Sequence, residues 1–317
     1  MRRRCALVTG GAGFIGSHVV QGLLDEGYRV RVLDDLSSGS LDNVPSSADL
    51  VIGDAADVSV ADGVVIGADV VVHQAAHRAV LKSVEDPLAT DTANVHATVA
   101  VLHAARRAGV RRLVYASSSS VYGGSDVLPT PEDAPTIPRS PYAVSKLAAE
   151  QYCRVFSELY GLETVVLRYF NVFGPRQRPD SAYAAVIPLF IDALARGDAP
   201  TIHGDGKQTR DFTYVSDVVR ANLAAIAAPG ERCSGKFYNV SGGKRWSLLE
   251  LLEALEELVG RRLEPRFTSP RSGDVRDSEA DITAAGRDLG YFPLVGLHAG
   301  LRETIEWQMS LARADRA

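Results

Sequence analysis

The sequence predicts an α/β protein built on a doubly wound parallel sheet, with a smaller α/β domain interleaved after it. Short apolar, β-rich runs alternate with helical stretches through the first half of the chain, which is the pattern of parallel βαβ units with buried strands. The predicted strands are Ala6–Thr9, Arg29–Leu33, Leu50–Ile52, Val70–His73, Leu113–Ala116 and Thr164–Leu167. Helical stretches between them are Phe14–Glu26, Ala89–Ala108 and Pro141–Tyr160.

The regular alternation ends after Arg168, where loops with proline and glycine begin. Helical periodicity returns at Val186–Arg196, Val215–Ala227, Leu248–Val259 and Leu297–Met309. We therefore expect a first domain over residues 1–170, with residues 212–240 rejoining it. Residues 171–211 and 241–317 would form the second domain, above the carboxyl ends of the strands, where open α/β sheets bind ligands.

Composition excludes several classes of protein. The 317 residues include 34 Lys and Arg against 39 Asp and Glu, and this net charge of −5 gives no electrostatic footprint for nucleic acid. No apolar run approaches the roughly 20 residues that span a bilayer. Cys5, Cys153 and Cys233 are odd in number and lack metal-ligand spacing. The expectation is a cytoplasmic protein with no metal, membrane or nucleic-acid partner.

Glycines join the first predicted strand to the first predicted helix. Gly10, Gly13 and Gly16 follow a GxxGxxG spacing, a variant of the dinucleotide-binding fingerprint of Rossmann sheets. Such a turn brings the backbone close to a pyrophosphate at the helix N-terminus. The second strand ends at Asp34 and Asp35, whose carboxylates would accept bonds from ribose hydroxyls and repel a 2′-phosphate. The pattern favours NAD over NADP.

A possible proton-transfer group lies further along the chain. Tyr142 and Lys146 are spaced i, i+4 in a helical stretch, so both side chains share one face. A lysine cation beside a phenol favours the phenolate and lowers its pKa. Ser118, at the end of a predicted strand, would bridge the tyrosine and a substrate hydroxyl.

With these motifs the chain resembles the extended short-chain dehydrogenase/reductase family, and most closely its nucleotide-sugar 4-epimerases. The matching motifs are Thr9–Gly16, Leu33–Asp35, His73–Ala76, Ser117–Gly123, Tyr142–Lys146, Leu167–Gly174 and Gly204–Val215. The resemblance implies Ser118, Tyr142 and Lys146 as the catalytic set. It implies NAD contacts from Gly10, Gly13, Phe14, Ile15, Gly16, Asp34, Asp35, Ser37, Ser38, Gly39, Asp54, Ala55, Gln74, Ala75, Ala76, Arg78, Asn94, Tyr142, Lys146 and Tyr169.

The resemblance also implies a UDP-sugar site. Its expected residues are Ser118, Ser119, Tyr142, Asn171, Gln177, Ala185, Val186, Thr201, His203, Arg210, Arg271, Asp274 and Ser278. Two of these, Arg210 and Arg271, would grip a diphosphate through bidentate bonds.

The residues beside Ser118 bear on the reaction. Dehydratases resembling this chain carry an acid couple where Ser119 and Ser120 stand, and serines are poor general acids or bases at neutral pH. Inversion at C4 through a 4-keto intermediate is therefore expected. Ser278 stands where relatives restricted to glucose have tyrosine. That small residue leaves room for an acetamido group, so UDP-N-acetylglucosamine and UDP-N-acetylgalactosamine are the first expectation, and UDP-glucose and UDP-galactose the second.

Several alternatives stay open at this point. Arg78 fits either a nicotinamide-ribose contact or a pair with a uronate carboxylate, and Asp54 fits either an adenine contact or an ordinary turn. A UDP-glucuronate 4-epimerase, a decarboxylase and a dehydratase are the other enzyme interpretations. A non-catalytic NAD-binding sensor is the interpretation from another class. The alanine-rich helices Ala89–Ala108 and Pro141–Tyr160 suggest a homodimer through a four-helix interface, or simply cover the sheet.

Overall fold

A seven-stranded parallel sheet forms the centre of the computed structural model, which describes residues 3–179, 185–270 and 275–314. Its strands are β1 (Cys5–Thr9), β2 (Arg29–Asp34), β3 (Asp49–Ile52), β4 (Val70–His73), β5 (Arg112–Ser118), β6 (Glu163–Tyr169) and β11 (Lys236–Val240). Their spatial order is β3-β2-β1-β4-β5-β6-β11. The chain turns in opposite directions from β1 and from β4, so the ligand-binding crevice is expected where these two strands end. The predicted doubly wound class is confirmed.

Helices cover both faces of this sheet. Those that follow the first strands are α1 (Phe14–Asp25), α2 (Val58–Val65), α3 (Val80–Glu85), α4 (Pro87–Asp91), α5 (Ala97–Arg107) and α6 (Pro141–Tyr160). The later helix α8 (Val215–Ala227) packs with α1 on one face, while α2, α5 and α6 share the apolar core of the other face. Valines dominate the strands between them, as expected for strands buried on both sides.

One predicted helix is interrupted. The stretch 89–108 forms α4, then a π-helical turn at Thr92–His96, then α5. Such turns are common at functional sites. This one carries Asn94, which is 1% exposed, toward the loop after β4.

Smaller elements surround the carboxyl ends of β1, β4 and β6. They comprise the strands β7 (Val172–Phe173), β8 (Thr201–His203), β9 (Thr209–Asp211), β10 (Thr213–Tyr214), β12 (Arg245–Ser247) and β13 (Arg266–Thr268). The accompanying helices are α7 (Val186–Arg196), α9 (Gly230–Cys233), α10 (Leu248–Val259), α11 (Thr283–Leu289) and α12 (Leu297–Ala314). The strands pair as β7–β10, β8–β13 and β9–β12. Helices α7, α10 and α12 enclose a separate apolar core.

Two elements in or beside the large sheet, α2 and β11, were not predicted. Helix α2 contains Gly63 and several valines, which are weak helix formers, and its start depends on Asp57, whose carboxylate accepts from the backbone N–H groups of Ser59 and Val60. Strand β11 pairs with β6, so the segment from α8 to β11 extends the large sheet. None of the helices described here is long and apolar enough to cross a membrane.

Candidate active site

The glycine turn after β1 leaves space for an anion. Gly10 has a φ of +69°, and a Cβ there would come within 2.6 Å of the Ala75 backbone nitrogen. A Cβ on Gly16 would overlap the Gly10 carbonyl oxygen. Helix α1 begins at Phe14, and Gly13 supplies no side-chain cap, so the first N–H groups of the helix have no side-chain partner from the cap residue. This cradle fits a pyrophosphate.

Asp34 ties the end of β2 to that turn. Its carboxylate accepts from the backbone N–H groups of Ala12 and Leu36, both at 2.9 Å. A carboxylate has acceptor positions for about four bonds, so ribose hydroxyls still fit. Asp35 is exposed and accepts from the backbone and hydroxyl of Ser37.

The remaining residues predicted on the adenosine side lie in turns beside the same strand ends. Gly39 approaches Ala12 so closely that a Cβ would lie 2.8 Å from the Ala12 Cβ. Ser38 precedes it, and Ala55 is buried. Asp54 accepts from the backbone N–H two residues further on, as in an ordinary Asx turn. Its adenine contact stays a prediction.

A hydrogen-bonded network of side-chain amides joins the carboxyl ends of β4 and β6 to α8. The Gln74 side chain donates to the Tyr169 hydroxyl at 2.9 Å and to Asn222 Oδ1 at 3.2 Å. Asn222 in turn donates to Tyr169 at 2.8 Å. Burial raises the pKa of Tyr169 to about 12, so its phenol is neutral. Sequence reasoning missed Asn222, although an asparagine on the apolar face of a predicted helix is itself a signal.

Asn94 shapes the loop after β4. Its Oδ1 accepts from the His77 N–H at 2.8 Å, and its Nδ2 donates to the His77 carbonyl and to the Ser145 hydroxyl. The loop carries Ala75, Ala76 and Arg78 past the glycine turn. Both side-chain atoms of Asn94 therefore already have hydrogen-bond partners within the protein. Its contact with NAD stays a prediction.

The predicted catalytic residues lie together at the ends of β5 and α6. Ser140 caps α6 by accepting from the Ala143 N–H at 3.1 Å, and the helix then places the buried Tyr142 one turn before Lys146. Ser118 lies close enough to the Tyr142 phenol to oppose the rise in its pKa, and the Ser118 hydroxyl itself accepts from the Ser120 N–H at 3.2 Å. Lys146 Nζ donates to the Ala116 carbonyl at 2.8 Å and lies 6.0 Å from the centre of the Tyr142 ring.

Burial dominates the ionisation of this pair. It raises the pKa of Tyr142, while the hydrogen bond from Ser118 and the charge of Arg78 oppose that rise. Burial also lowers the pKa of Lys146 to about 8, against the attraction of Glu150. The expectation that the tyrosine pKa is lowered is therefore wrong for this structure, because the loss of hydration outweighs its neighbours.

A buried ion pair supports α6 from behind. Arg168 on β6 contacts both carboxylate oxygens of Glu150, at 2.9 and 2.7 Å. Ser117 donates to the same carboxylate, and Arg168 also donates to the Tyr122 hydroxyl at 2.9 Å. Glu150 follows Lys146 by one helical turn, so it places an anion beneath the lysine. This support was not predicted.

A cavity of about 830 Å³ lies between the residues that follow β6 and the smaller elements, and its lining does not include Ser118, Tyr142 or Lys146. Seven predicted substrate residues line it: Asn171, Gln177, Ala185, Val186, Thr201, His203 and Arg210. Residues that were not predicted also line it: Phe190, Gln208, Phe212 and Arg266.

Polar groups in the wall of this cavity lack partners. Gln177 Oε1 and Gln208 Oε1 are buried, and within the described part of the chain neither accepts a hydrogen bond. Their amide nitrogens are engaged with the carbonyls of Val172 and His203. Buried acceptors of this kind are usually satisfied by water or ligand.

Four other predicted substrate residues need separate mention. Ser119 lies in the turn directly after Ser118 and is half-buried. Ser278 belongs to a segment held against β9, because Thr209 donates to Asp277 at 2.7 Å and the Ala280 N–H donates to Asp211 at 3.1 Å. Arg271 and Asp274 lie outside the described residues.

The sheet, the glycine turn and the cluster of Ser118, Tyr142 and Lys146 together have the arrangement of a dinucleotide-dependent enzyme of the Rossmann class. The chain belongs to the NAD-dependent epimerase/dehydratase family, whose model matches residues 6–241. NAD is accordingly its cofactor. Among the described residues, no three His, Cys, Asp or Glu side chains are grouped to hold a metal ion.

Proteins similar to this chain include nucleotide-sugar epimerases. A UDP-glucose 4-epimerase of Mycolicibacterium smegmatis is 42% identical over 95% of this chain and 97% of its own length. The structure of a Thermotoga maritima UDP-glucose 4-epimerase with UDP-glucose is 37% identical, covering 97% of this chain and 99% of the other, with a TM-score of 0.93. A Methanobrevibacter ruminantium UDP-N-acetylglucosamine 4-epimerase in complex with UDP-N-acetylmuramic acid is 36% identical, covering 98% and 100%, with a TM-score of 0.92.

Proposed function

We propose that the protein is an NAD-dependent UDP-sugar 4-epimerase that interconverts UDP-N-acetylglucosamine and UDP-N-acetylgalactosamine, with UDP-glucose and UDP-galactose as the second substrate pair. The observation that carries the proposal is the set of residues beside Tyr142, where Ser118 lies close to the phenol and is followed in the chain by Ser119 and Ser120. Elimination of water needs an acid and a base at those positions, whereas inversion at C4 needs one group that moves a proton at the 4-hydroxyl.

Tyr142 is the proposed proton-transfer residue. Its phenolate accepts the proton of the sugar 4-hydroxyl, directly or through Ser118, and returns it after the 4-keto sugar has turned over. NAD supplies the hydride acceptor and the hydride donor at C4. Ser118 and the charge of Arg78 oppose the rise that burial causes in the pKa of Tyr142, and the Lys146 ammonium lies 6.0 Å from the centre of its ring, so these groups help to form the phenolate.

The cavity is the proposed site of the nucleotide diphosphate. Its volume of about 830 Å³ lies within the range of roughly 300 to 1,000 Å³ for small-molecule sites. Arg210 and Arg266 supply cations for the diphosphate, and Phe190 and Phe212 supply apolar surface for the base. Holding the nucleotide there leaves the sugar free to rotate in front of Tyr142.

Ser278 carries the proposed preference for an N-acetylated sugar. Hydrogen bonds at Asp277 and at Ala280 hold its segment against β9, the strand that carries Arg210. A large residue at position 278 would therefore take up space near Arg210. Excluding a group by filling space is a simple form of specificity. Arg78 is exposed and its charge acts on the Tyr142 phenol, which keeps a uronate as the alternative substrate.

The experiment is incubation with UDP-N-acetylglucosamine, UDP-glucose and UDP-glucuronate in parallel, followed by proton NMR of the C4 configuration. We expect inversion of the N-acetylated sugar and loss of that activity, roughly 10-fold or more, in Ser278→Tyr, with UDP-glucose turnover retained. Inversion of UDP-glucuronate alone, together with its loss in Arg78→Ala, would replace this substrate by a uronate.

We also propose that the protein forms a homodimer through α3, α4 and α6. Helix α5 faces the sheet with its apolar residues, whereas Val84 and Leu88 are 62% and 80% exposed and Leu159 is 70% exposed. These side chains lie on adjacent helices, since α3 and α4 both contact α6. Light scattering should give a dimer for the wild type and a monomer for Leu88→Lys with Leu159→Lys. A monomeric wild type would refute the interface.

A further inference from the structure

The segment after β7 crosses the first turns of α1. The His18 ring hydrogen-bonds the Pro175 carbonyl at 3.0 Å through Nε2, and because a carbonyl only accepts, that nitrogen carries the proton. His18 follows Phe14, the first residue of α1, by about one turn, and the two rings meet edge to face at 6.1 Å. Pro175 and Arg176 therefore lie beside the helix end that forms the glycine cradle.

Arg176 is held there with its charge unmatched. Its Nη1 is buried and has no hydrogen-bond partner among residues 3–179, 185–270 and 275–314. Burial lowers the pKa of its guanidinium, and no described carboxylate offsets that effect. Burying a guanidinium without an anion costs free energy, because the charge loses its hydration. This arrangement is typical of a side chain that binds an anionic ligand.

The backbone at this residue is also unusual. Arg176 has a φ of +68°, in the left-handed region that side chains other than glycine, asparagine and aspartate rarely adopt. The turn is kept in place by the bond from the Gln177 N–H to the Gly174 carbonyl and by the His18 contact. Residues held in such conformations cluster at ligand-binding sites.

The neighbouring histidine does not duplicate the charge. Burial lowers the pKa of His18, and the nearby Arg176 lowers it further, so His18 is neutral at pH 7. It acts as a donor to Pro175.

We propose that Arg176 binds the pyrophosphate of NAD, gripping it from the side opposite the glycine turn. The start of α1 offers backbone N–H groups and the positive end of the helix dipole, and Arg176 adds charge-assisted bonds to the phosphate oxygens. Because Arg176 follows β7 rather than a strand of the large sheet, cofactor binding would also fix the segment that leads from Asn171 to the substrate cavity.

A diphosphate is also present in the substrate, so the test must separate the two sources. Arg176→Gln and, as a matched control, Arg266→Gln in the cavity wall are compared by calorimetric titration with NAD⁺ alone and with UDP alone. We expect Arg176→Gln to weaken NAD⁺ binding by about 10- to 100-fold and to leave UDP binding within about twofold. Arg266→Gln should do the reverse. Weakened UDP binding with unchanged NAD⁺ binding in Arg176→Gln would overturn the proposal.

Thermal unfolding in the absence of nucleotide distinguishes binding from a structural role. Removing an unpaired buried cation should leave the melting temperature of Arg176→Gln unchanged or higher than that of the wild type. The NAD-dependent rise in melting temperature should shrink. Arg176→Lys should restore part of the NAD⁺ affinity, since it keeps the charge without the bidentate geometry. A melting temperature that falls without NAD, with an undiminished rise on adding it, would show that Arg176 only stabilises the fold.

Discussion

The two walls of the active site differ in how their polar groups are satisfied. On the large sheet, Gln74, Asn94 and Tyr169 bond to one another or to nearby loops. On the same side, His77 Nδ1 and Ser120 Oγ are buried without partners in the described chain. On the opposite wall, the side-chain oxygens of Gln177 and Gln208 are also buried without partners in the described chain. The amides at the ends of β4 and β6 are therefore oriented by the protein itself, whereas the glutamine oxygens of the substrate wall are left for water or ligand.

The largest expected effect tests the wall formed by the large sheet. Tyr142→Phe keeps the ring and removes the proton-transfer group, so kcat should fall by roughly 100- to 10,000-fold while NAD stays bound. Tyr160→Phe, at the exposed end of the same helix α6, is the matched control and should leave kcat unchanged. Unimpaired turnover in Tyr142→Phe would remove this residue from the mechanism.

The amide network behind the cofactor crevice should contribute to folding stability. Asn222→Leu leaves the Gln74 amide without one acceptor and the Tyr169 hydroxyl without one donor, all of them buried. We expect the free energy of unfolding in urea to fall by about 2 to 3 kcal/mol. A change below about 0.5 kcal/mol would mean that water satisfies the network.

The substrate wall should respond through binding rather than through chemistry. Arg210 lines the cavity on β9, so Arg210→Gln should raise KM by about 10-fold, near 1.4 kcal/mol, with kcat within about threefold. Initial-rate kinetics with the UDP-sugar provide the measurement. A fall in kcat with unchanged KM would place Arg210 with the reacting groups instead.

One titratable residue on each side of the active site should make the folding stability depend on pH, and the two effects should have opposite signs. His73 lies between the hydroxyls of Thr9 and Thr98, and burial lowers its pKa from 6.5 to about 3. The His73 imidazole is therefore protonated near pH 6.5 in the unfolded chain but only near pH 3 in the folded chain. Acidification from pH 6.5 to 5 should destabilise the fold through His73, by at most about 1.4 kcal/mol per pH unit.

Asp211 on β9 should act in the other direction. Burial raises its pKa from 3.8 to about 7, so the folded chain keeps a proton that the unfolded chain releases near pH 3.8. Acidification from pH 7 to 5 should then stabilise the fold through Asp211. Urea titrations at pH 7, 6 and 5 give the free energy of unfolding of the wild type, of His73→Gln and of Asp211→Asn. The difference in this free energy between variant and wild type should change with pH in opposite directions for the two variants. Parallel slopes would contradict this contrast.

The sequence predicted the features that depend on neighbouring residues. The first six strands follow short apolar, β-rich runs, and the i, i+4 spacing of Tyr142 and Lys146 follows from helical geometry alone. Contacts between distant segments were not predictable in the same way. Asn222 meets Gln74 only after α8 packs on the large sheet, and Glu150 meets Arg168 only through the pairing of α6 with β6. The tyrosine pKa was misjudged because burial, which no local pattern reports, outweighs the nearby charges.

The most direct test of C4 epimerisation follows a hydrogen label. A UDP-sugar with deuterium at C4 is incubated with the enzyme and its bound NAD, and NMR and mass spectrometry follow position, configuration and mass. Epimerisation through a 4-keto sugar and bound NAD predicts inversion at C4 with the deuterium retained there and the mass unchanged. The reason is that hydride leaves and returns to the same carbon without exchange with water. Loss of water or carbon dioxide, or transfer of the deuterium to another carbon, would contradict it.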